Sequence, residues 1–143
     1  HFRKAISLDT YSTQTARNNL AYLLLKARRN LQEALQLSME ASDREPDNAG
    51  FADTYGLALL LTGEPERARE LFRKAIRLEP RASADMYENL GDAEAALGNP
   101  EEARAAWARA LSLDPARLHL KSRAADSPQS LPPGTTPPAP TRP

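Results

Sequence analysis

The sequence predicts an all-α fold, a solenoid of antiparallel helix pairs, and three observations predict it. First, Phe72-Arg73-Lys74-Ala75-Ile76-Arg77-Leu78 repeats Phe2-Arg3-Lys4-Ala5-Ile6-Ser7-Leu8 at every position but one, and Trp107-Ala108-Arg109-Ala110-Leu111-Ser112-Leu113 follows the same pattern. Second, the residues that close successive copies, Thr10, Pro46, Pro80 and Pro115, stand 36, 34 and 35 residues apart. Third, the apolar residues of a copy share one helical face. Ala68, Leu71, Phe72, Ala75 and Ile76 fall at i, i+3, i+4, i+7 and i+8, as do Ala103, Ala106, Trp107, Ala110 and Leu111. A single pair of helices cannot bury such a face alone, whereas stacked pairs can.

The elements follow in chain order. Residues 1–12 read as the end of a truncated repeat. Phe2, Ala5, Ile6 and Leu8 hold core places in a helix whose partner is expected upstream, so the sequence is expected to be a C-terminal fragment. Residues 13–115 hold three complete pairs, 13–27 with 31–44, 48–61 with 64–78, and 84–97 with 100–113. The turns inside two of them are written in residue types: Gly63-Glu64-Pro65-Glu66 and Gly98-Asn99-Pro100-Glu101-Glu102. Glycine ends a helix in the left-handed conformation, and proline opens the next one where its missing N–H is not needed. The glutamates then face the positive helix end, which makes Glu101-Glu102 dipole partners and not a catalytic pair. Residues 116–125 are expected to form a short capping helix around Leu118 and Leu120. Residues 126–143 carry seven of the twelve prolines and few large apolar residues, so this tail is expected to be disordered or polyproline-II-like.

The period and the residues together resemble the tetratricopeptide repeat (TPR) family over residues 1–115. The second complete copy reads Tyr55-Gly56, then Ala68 and Phe72, then Ala75 and Pro80; the third reads Tyr87, Leu90-Gly91, Ala103, Trp107, Ala110 and Pro115. The first reads Leu20-Ala21, Ala34, Ala41 and Pro46. It departs from the family pattern at Arg17 and Ser38, and the third departs at Glu94, all places where an aromatic is usual. Asn19-Leu20-Ala21-Tyr22, Asp53-Thr54-Tyr55-Gly56 and Leu90-Gly91-Asp92, with Trp107, resemble the C-terminal repeats of bacterial TPR proteins. That resemblance implies a cytoplasmic protein or, with an export or lipoprotein signal upstream, one on the periplasmic or outer-membrane side.

Composition removes several function classes. Nineteen basic residues balance nineteen acidic ones, and residues 1–115 carry 15 against 18, so no electrostatic pull toward nucleic acid is expected. There is no cysteine for disulfides or thiolate metal sites. The apolar run Leu57–Leu61 is far short of the roughly 20 residues of a membrane-spanning helix, so membrane insertion is not expected. Two histidines, His1 and His119, offer no metal-binding pair, and no serine stands in a nucleophile elbow. The expectation is a non-enzyme with no cofactor and no metal site.

The resemblance implies a protein or peptide partner received on the surface lined by the first helix of each pair. Carried over residue by residue, the partner-facing positions are Asn18, Tyr22, Leu25 and Lys26, then Asp53, Leu57, Leu60 and Leu61, then Glu88, Asp92, Ala95 and Ala96. Leu20, Ala21 and Leu24 are assigned to the core side of the first helix. Leu57 and Leu60 either pack against neighbouring first helices or floor a groove. With Asp53, Glu88 and Asp92 as walls, that groove favours an apolar or basic segment. Acidic residues at these places argue against the capture of a C-terminal carboxylate seen elsewhere in the family. Self-association in a larger assembly, or a regulatory role beside a catalytic domain upstream, are the alternatives.

Overall fold

The computed structural model describes residues 10–125, and every regular element there is a helix. The expected helix end at 1–8 and the expected tail at 126–143 lie outside the described residues. The chain divides into two compact units between Ala82 and Ser83. The first contains α1 (Thr10–Lys26), α2 (Leu31–Arg44), α3 (Ala49–Leu61) and α4 (Pro65–Leu78). Within it α1 packs on α2, α2 on α3 and α3 on α4, and α1 also touches α3. The second contains α5 (Ala84–Ala96), α6 (Pro100–Leu113) and α7 (Leu120–Ala125), with α5 on α6 and α6 on α7. α1 begins three residues before the expected start, and the capping helix is confined to six residues, preceded by turns through 115–119.

The turns show why the pairs close so tightly. Gly63 adopts φ 93° and Gly98 φ 81°. At the end of α3 the Glu64 N–H donates to the Leu59 carbonyl at 2.8 Å and the Gly63 N–H to Leu60 at 3.2 Å. At the end of α5, Asn99 and Gly98 repeat this with Glu94 (2.9 Å) and Ala95 (3.1 Å). These are Schellman caps, which satisfy otherwise orphaned carbonyls. α1 ends in the same geometry, Arg29 to Leu24 at 2.9 Å and Arg28 to Leu25 at 3.1 Å, but with Arg28 (φ 56°) at the left-handed position. Pro65 and Pro100 open α4 and α6, while Asn48 and Ser83 cap α3 and α5 through hydrogen bonds from the backbone N–H groups of Phe51 and Met86.

In the first unit, Ala21, Leu25, Ala34 and Ala58 form a core cluster against which Leu24, Leu57 and Leu61 pack. Phe72 is fully buried, and the backbone of Gly56 comes so close that a Cβ there would lie 2.6 Å from its ring. In the second unit Ala84, Ala110 and Leu120 are the buried centre, flanked by Tyr87, Trp107 and Leu111.

One register assignment needs correction. Leu25, expected to face a partner, is 1% exposed, whereas Leu20, expected in the core, is 42% exposed. The buried position stands nine residues before the first core alanine of the following helix in every pair. Leu25 precedes Ala34 as Leu59 precedes Ala68 and Glu94 precedes Ala103, and all six are buried. The turn of α1 is one residue longer than the others, through Asn30 at φ 48°. Aligning Leu20-Ala21 directly with Tyr55-Gly56 therefore shifts the helix by one position.

Candidate functional site

The positions expected to face a partner fall in both units, and each group is described in its own. In the first unit the described face of α1 presents Tyr22 (38% exposed), Leu23 (64%) and Leu20 (42%), with the Lys26 ammonium 5.7 Å from the Tyr22 ring centroid. Asn18 is half-buried, and its side-chain oxygen is buried with no hydrogen-bond partner among the described residues. On α3, Leu57 and Leu61 are half-buried against the core cluster, so they serve packing first. Asp53 and Leu60 are half-buried on the same helix. Leu25 is removed from this face, as described above.

The second unit differs more from expectation. Glu88 and Asp92, expected as open acidic walls, are bound by the chain's own C-terminal segment and by Trp107. Arg117 is the hub. Its guanidinium donates to Asp85 (2.6 Å), Glu88 (2.7 Å) and Asp114 (3.0 Å). His119 Nε2 lies 2.9 Å from the second oxygen of Glu88. Asp92 accepts a hydrogen bond from Trp107 Nε1 at 3.0 Å, with Arg123 at 3.9 Å. Trp107 also presses against Gly91, where a Cβ would lie 2.4 Å from the indole. Ala95 and Ala96 are exposed at the end of α5.

The electrostatics follow from this wiring. Burial pushes the Glu88 carboxyl up, but hydrogen bonds from His119 and Arg117, with their charges, outweigh it and hold the group below its ordinary value of 4.5. Burial pushes the Asp92 carboxyl above the usual range, and the Trp107 N–H only partly offsets it. For Arg117, burial disfavours the charge, yet its hydrogen bonds to Glu88, Asp85 and Asp114 raise its pKa overall. A carboxyl depressed on folding adds stability above its unfolded pKa and loses it as pH falls through the folded value. Glu88→Gln is therefore expected to destabilise the second unit at pH 7, by about 1–3 kcal/mol for a half-buried charge-assisted pair. The difference from the wild type should shrink as pH falls below 4.5, checked by urea denaturation at several pH values.

Sequence reading missed Arg117, His119 and Arg123 as partners of these acids. The signal was present: residues 116–143 carry four basic residues against one acidic, three of the four before Ala124. Glu94, at a place usually aromatic, is 2% exposed and accepts from Asn99 Nδ2 at 2.8 Å, tying α5 to its own turn. Among the described residues no three metal-ligating side chains converge, and no helix is long and apolar enough to cross a membrane.

Comparison with known proteins fits this geometry. The tetratricopeptide repeat family model matches residues 39–83 and 56–117. No curated protein matches the sequence. Among solved structures, YrrB, described as a TPR protein with an unusual peptide-binding site, is 22% identical at a TM-score of 0.71, covering 87% of this chain and 62% of its own. The chain thus spans less than two thirds of that protein. The Arabidopsis OM64 TPR domain is 20% identical at a TM-score of 0.71, covering 80% of this chain and 93% of that one. The first TPR of Spaghetti (RPAP3), bound to the HSP90 peptide SRMEEVD, is 20% identical at a TM-score of 0.69, covering 78% and 87%. At these identities the likeness is one of fold. The paired helices, the near-constant period, the alanine and aromatic core places and the matched family model together show that this chain belongs to the tetratricopeptide repeat family.

Proposed function

We propose that this chain is a protein-interaction scaffold that receives a peptide or partner segment on the first-helix face of its repeats, with apolar contacts predominant. The observation that carries this reading is the exposed apolar surface of α1, where Leu20, Tyr22 and Leu23 are exposed and Lys26 lies over the Tyr22 ring. Exposed aromatic and aliphatic side chains on a rigid helix are what binding hot spots are made of. Two TPR structures of the same fold support it: one is described as having a peptide-binding site and another is bound to a peptide. Glu88 and Asp92 already hold cations of the same chain, so they do not serve as acidic walls for a partner.

The test is selection of apolar-rich 12-residue peptides from a display library, with binding measured by fluorescence anisotropy. Tyr22→Asp should weaken the selected peptides at least about tenfold, a loss of roughly 1.4 kcal/mol, with helicity unchanged. Peptides indifferent to both Tyr22→Asp and Leu60→Asp would remove the first-helix face as the site. Concentration-dependent dimerisation abolished by Tyr22→Asp would favour self-association instead.

A further inference from the structure

Beside the turn that joins α5 to α6 in the second unit lies a cavity of about 290 Å³, with Ala95, Ala103 and Trp107 among its walls and two arginines, Arg104 and Arg123, beside them. Its volume is at the lower end of the range for ligand sites, about 300–1,000 Å³, which suits one side chain and a polar group and not a cofactor. The aromatic wall is fixed before any ligand arrives. Trp107 is hydrogen-bonded through Nε1 to Asp92 and pressed on the backbone of Gly91. A pre-set wall loses little freedom on binding.

The charges select what enters. Arg104 is the buried half of an ion pair: its side chain is 17% exposed, while that of its partner Glu101, at 3.2 Å, is 76% exposed. A guanidinium carries five N–H donors in a planar fork, so a second carboxylate entering the cavity has a matching donor. Arg123 lies over the Trp107 ring at 5.7 Å and meets Asp92 only at 3.9 Å. The first turn of α6 forms another wall through Pro100 and Ala103. Its cap residue Asn99 makes no side-chain cap bond, because its amide donates to Glu94. The positive end of α6 already faces Glu101 and Glu102, so the anion preference of the cavity rests on the two arginines.

We propose that this cavity is a second contact point for a partner peptide, taking an aliphatic side chain against Trp107 and the carboxylate of an adjacent Asp or Glu on Arg104 and Arg123. It rests on the reading of the chain as a peptide receiver and belongs to the second unit, whereas the exposed face of α1 belongs to the first. Glu101 acts as the resident competitor for Arg104.

Trp107 is the single tryptophan, so its fluorescence reports occupancy. The probe is N-acetyl-leucyl-glutamate with an amidated C-terminus, titrated into the full chain against the leucyl-glutamine analogue and against inorganic phosphate. The expected result is saturable quenching by the acidic probe alone. Arg104→Gln should weaken it at least about tenfold, while Glu101→Gln should strengthen it about threefold by removing the competitor. Opposite effects of two changes on the same ion pair cannot both come from misfolding. Equal binding of the glutamine analogue, quenching by phosphate as strong as by the dipeptide, or no quenching would each overturn the proposal. If the dipeptide fails while display-selected peptides still depend on Tyr22, only the cavity assignment falls. If both fail, the peptide-receiver reading falls with it.

Discussion

Phe72→Ala is expected to destabilise the first unit by about 3–5 kcal/mol, the range for removing a fully buried aromatic side chain. Phe72 is 0% exposed, and its ring lies against the backbone of Gly56, too close for any larger residue there. Since small domains have only about 5–15 kcal/mol in total, that loss approaches unfolding at 37 °C. Guanidinium denaturation followed by circular dichroism measures it. A companion variant isolates the contact. Gly56→Ala should be destabilising in the wild type, because a Cβ would sit 2.6 Å from the ring. In the Phe72→Ala background the same change should be neutral or stabilising, because alanine exceeds glycine in helix propensity by about 1 kcal/mol. Equal effects in the two backgrounds would show that Gly56 and Phe72 are not coupled.

The second large effect belongs to the other unit. Gly91→Ala is expected to cost about 1.5–5 kcal/mol. Overpacking accounts for about 1–3 kcal/mol, and the lost charge-assisted hydrogen bond for about 1.5–3 kcal/mol. The helix-propensity gain offsets about 1 kcal/mol. The new Cβ would lie 2.4 Å from Trp107 Cδ1 and 2.5 Å from Nε1. The indole must move, and its hydrogen bond to Asp92 breaks. Asp92 is then left largely buried without its donor, and its carboxyl should rise further above the ordinary range. Red-shifted tryptophan emission together with a lower denaturation midpoint is the expected signature. An unchanged spectrum would mean that the ring is free to pivot without loss.

The pairing of helices was legible because it rests on local, periodic signals. Small residues at Ala68, Ala75, Ala103 and Ala110 return with the aromatic places, and Gly63 and Gly98 mark turns that require φ > 0. The register of α1 was not legible. Leu20-Ala21 imitates the motif pair Tyr55-Gly56, but the length of the following turn decides which leucine points inward. That length depends on Arg28 and Asn30 adopting a left-handed conformation; asparagine tolerates it, but arginine does not announce it. The state of Glu88 and Asp92 was hidden for a different reason. Their partners Arg117, His119 and Arg123 lie 29 to 31 residues away in sequence. No periodicity reveals an ion pair of that separation; only the excess of basic residues after Pro115 hints at it.

The grip of Arg117 on three carboxylates bears on where the chain is best cut for laboratory work. The repeat period invites truncation after Pro115, but α7 has only six residues, too few to stay helical unaided. Its Leu120 is nonetheless 0% exposed, closing over Ala84 and Ala110, and it is brought there by the segment that Arg117 anchors. A fragment ending at Pro115 would lose this lid, uncover the aliphatic centre beneath it and leave Asp85, Glu88 and Asp114 without their shared cation. The autonomous C-terminal piece is therefore one that extends through Ala125, about ten residues beyond the boundary the repeat arithmetic suggests.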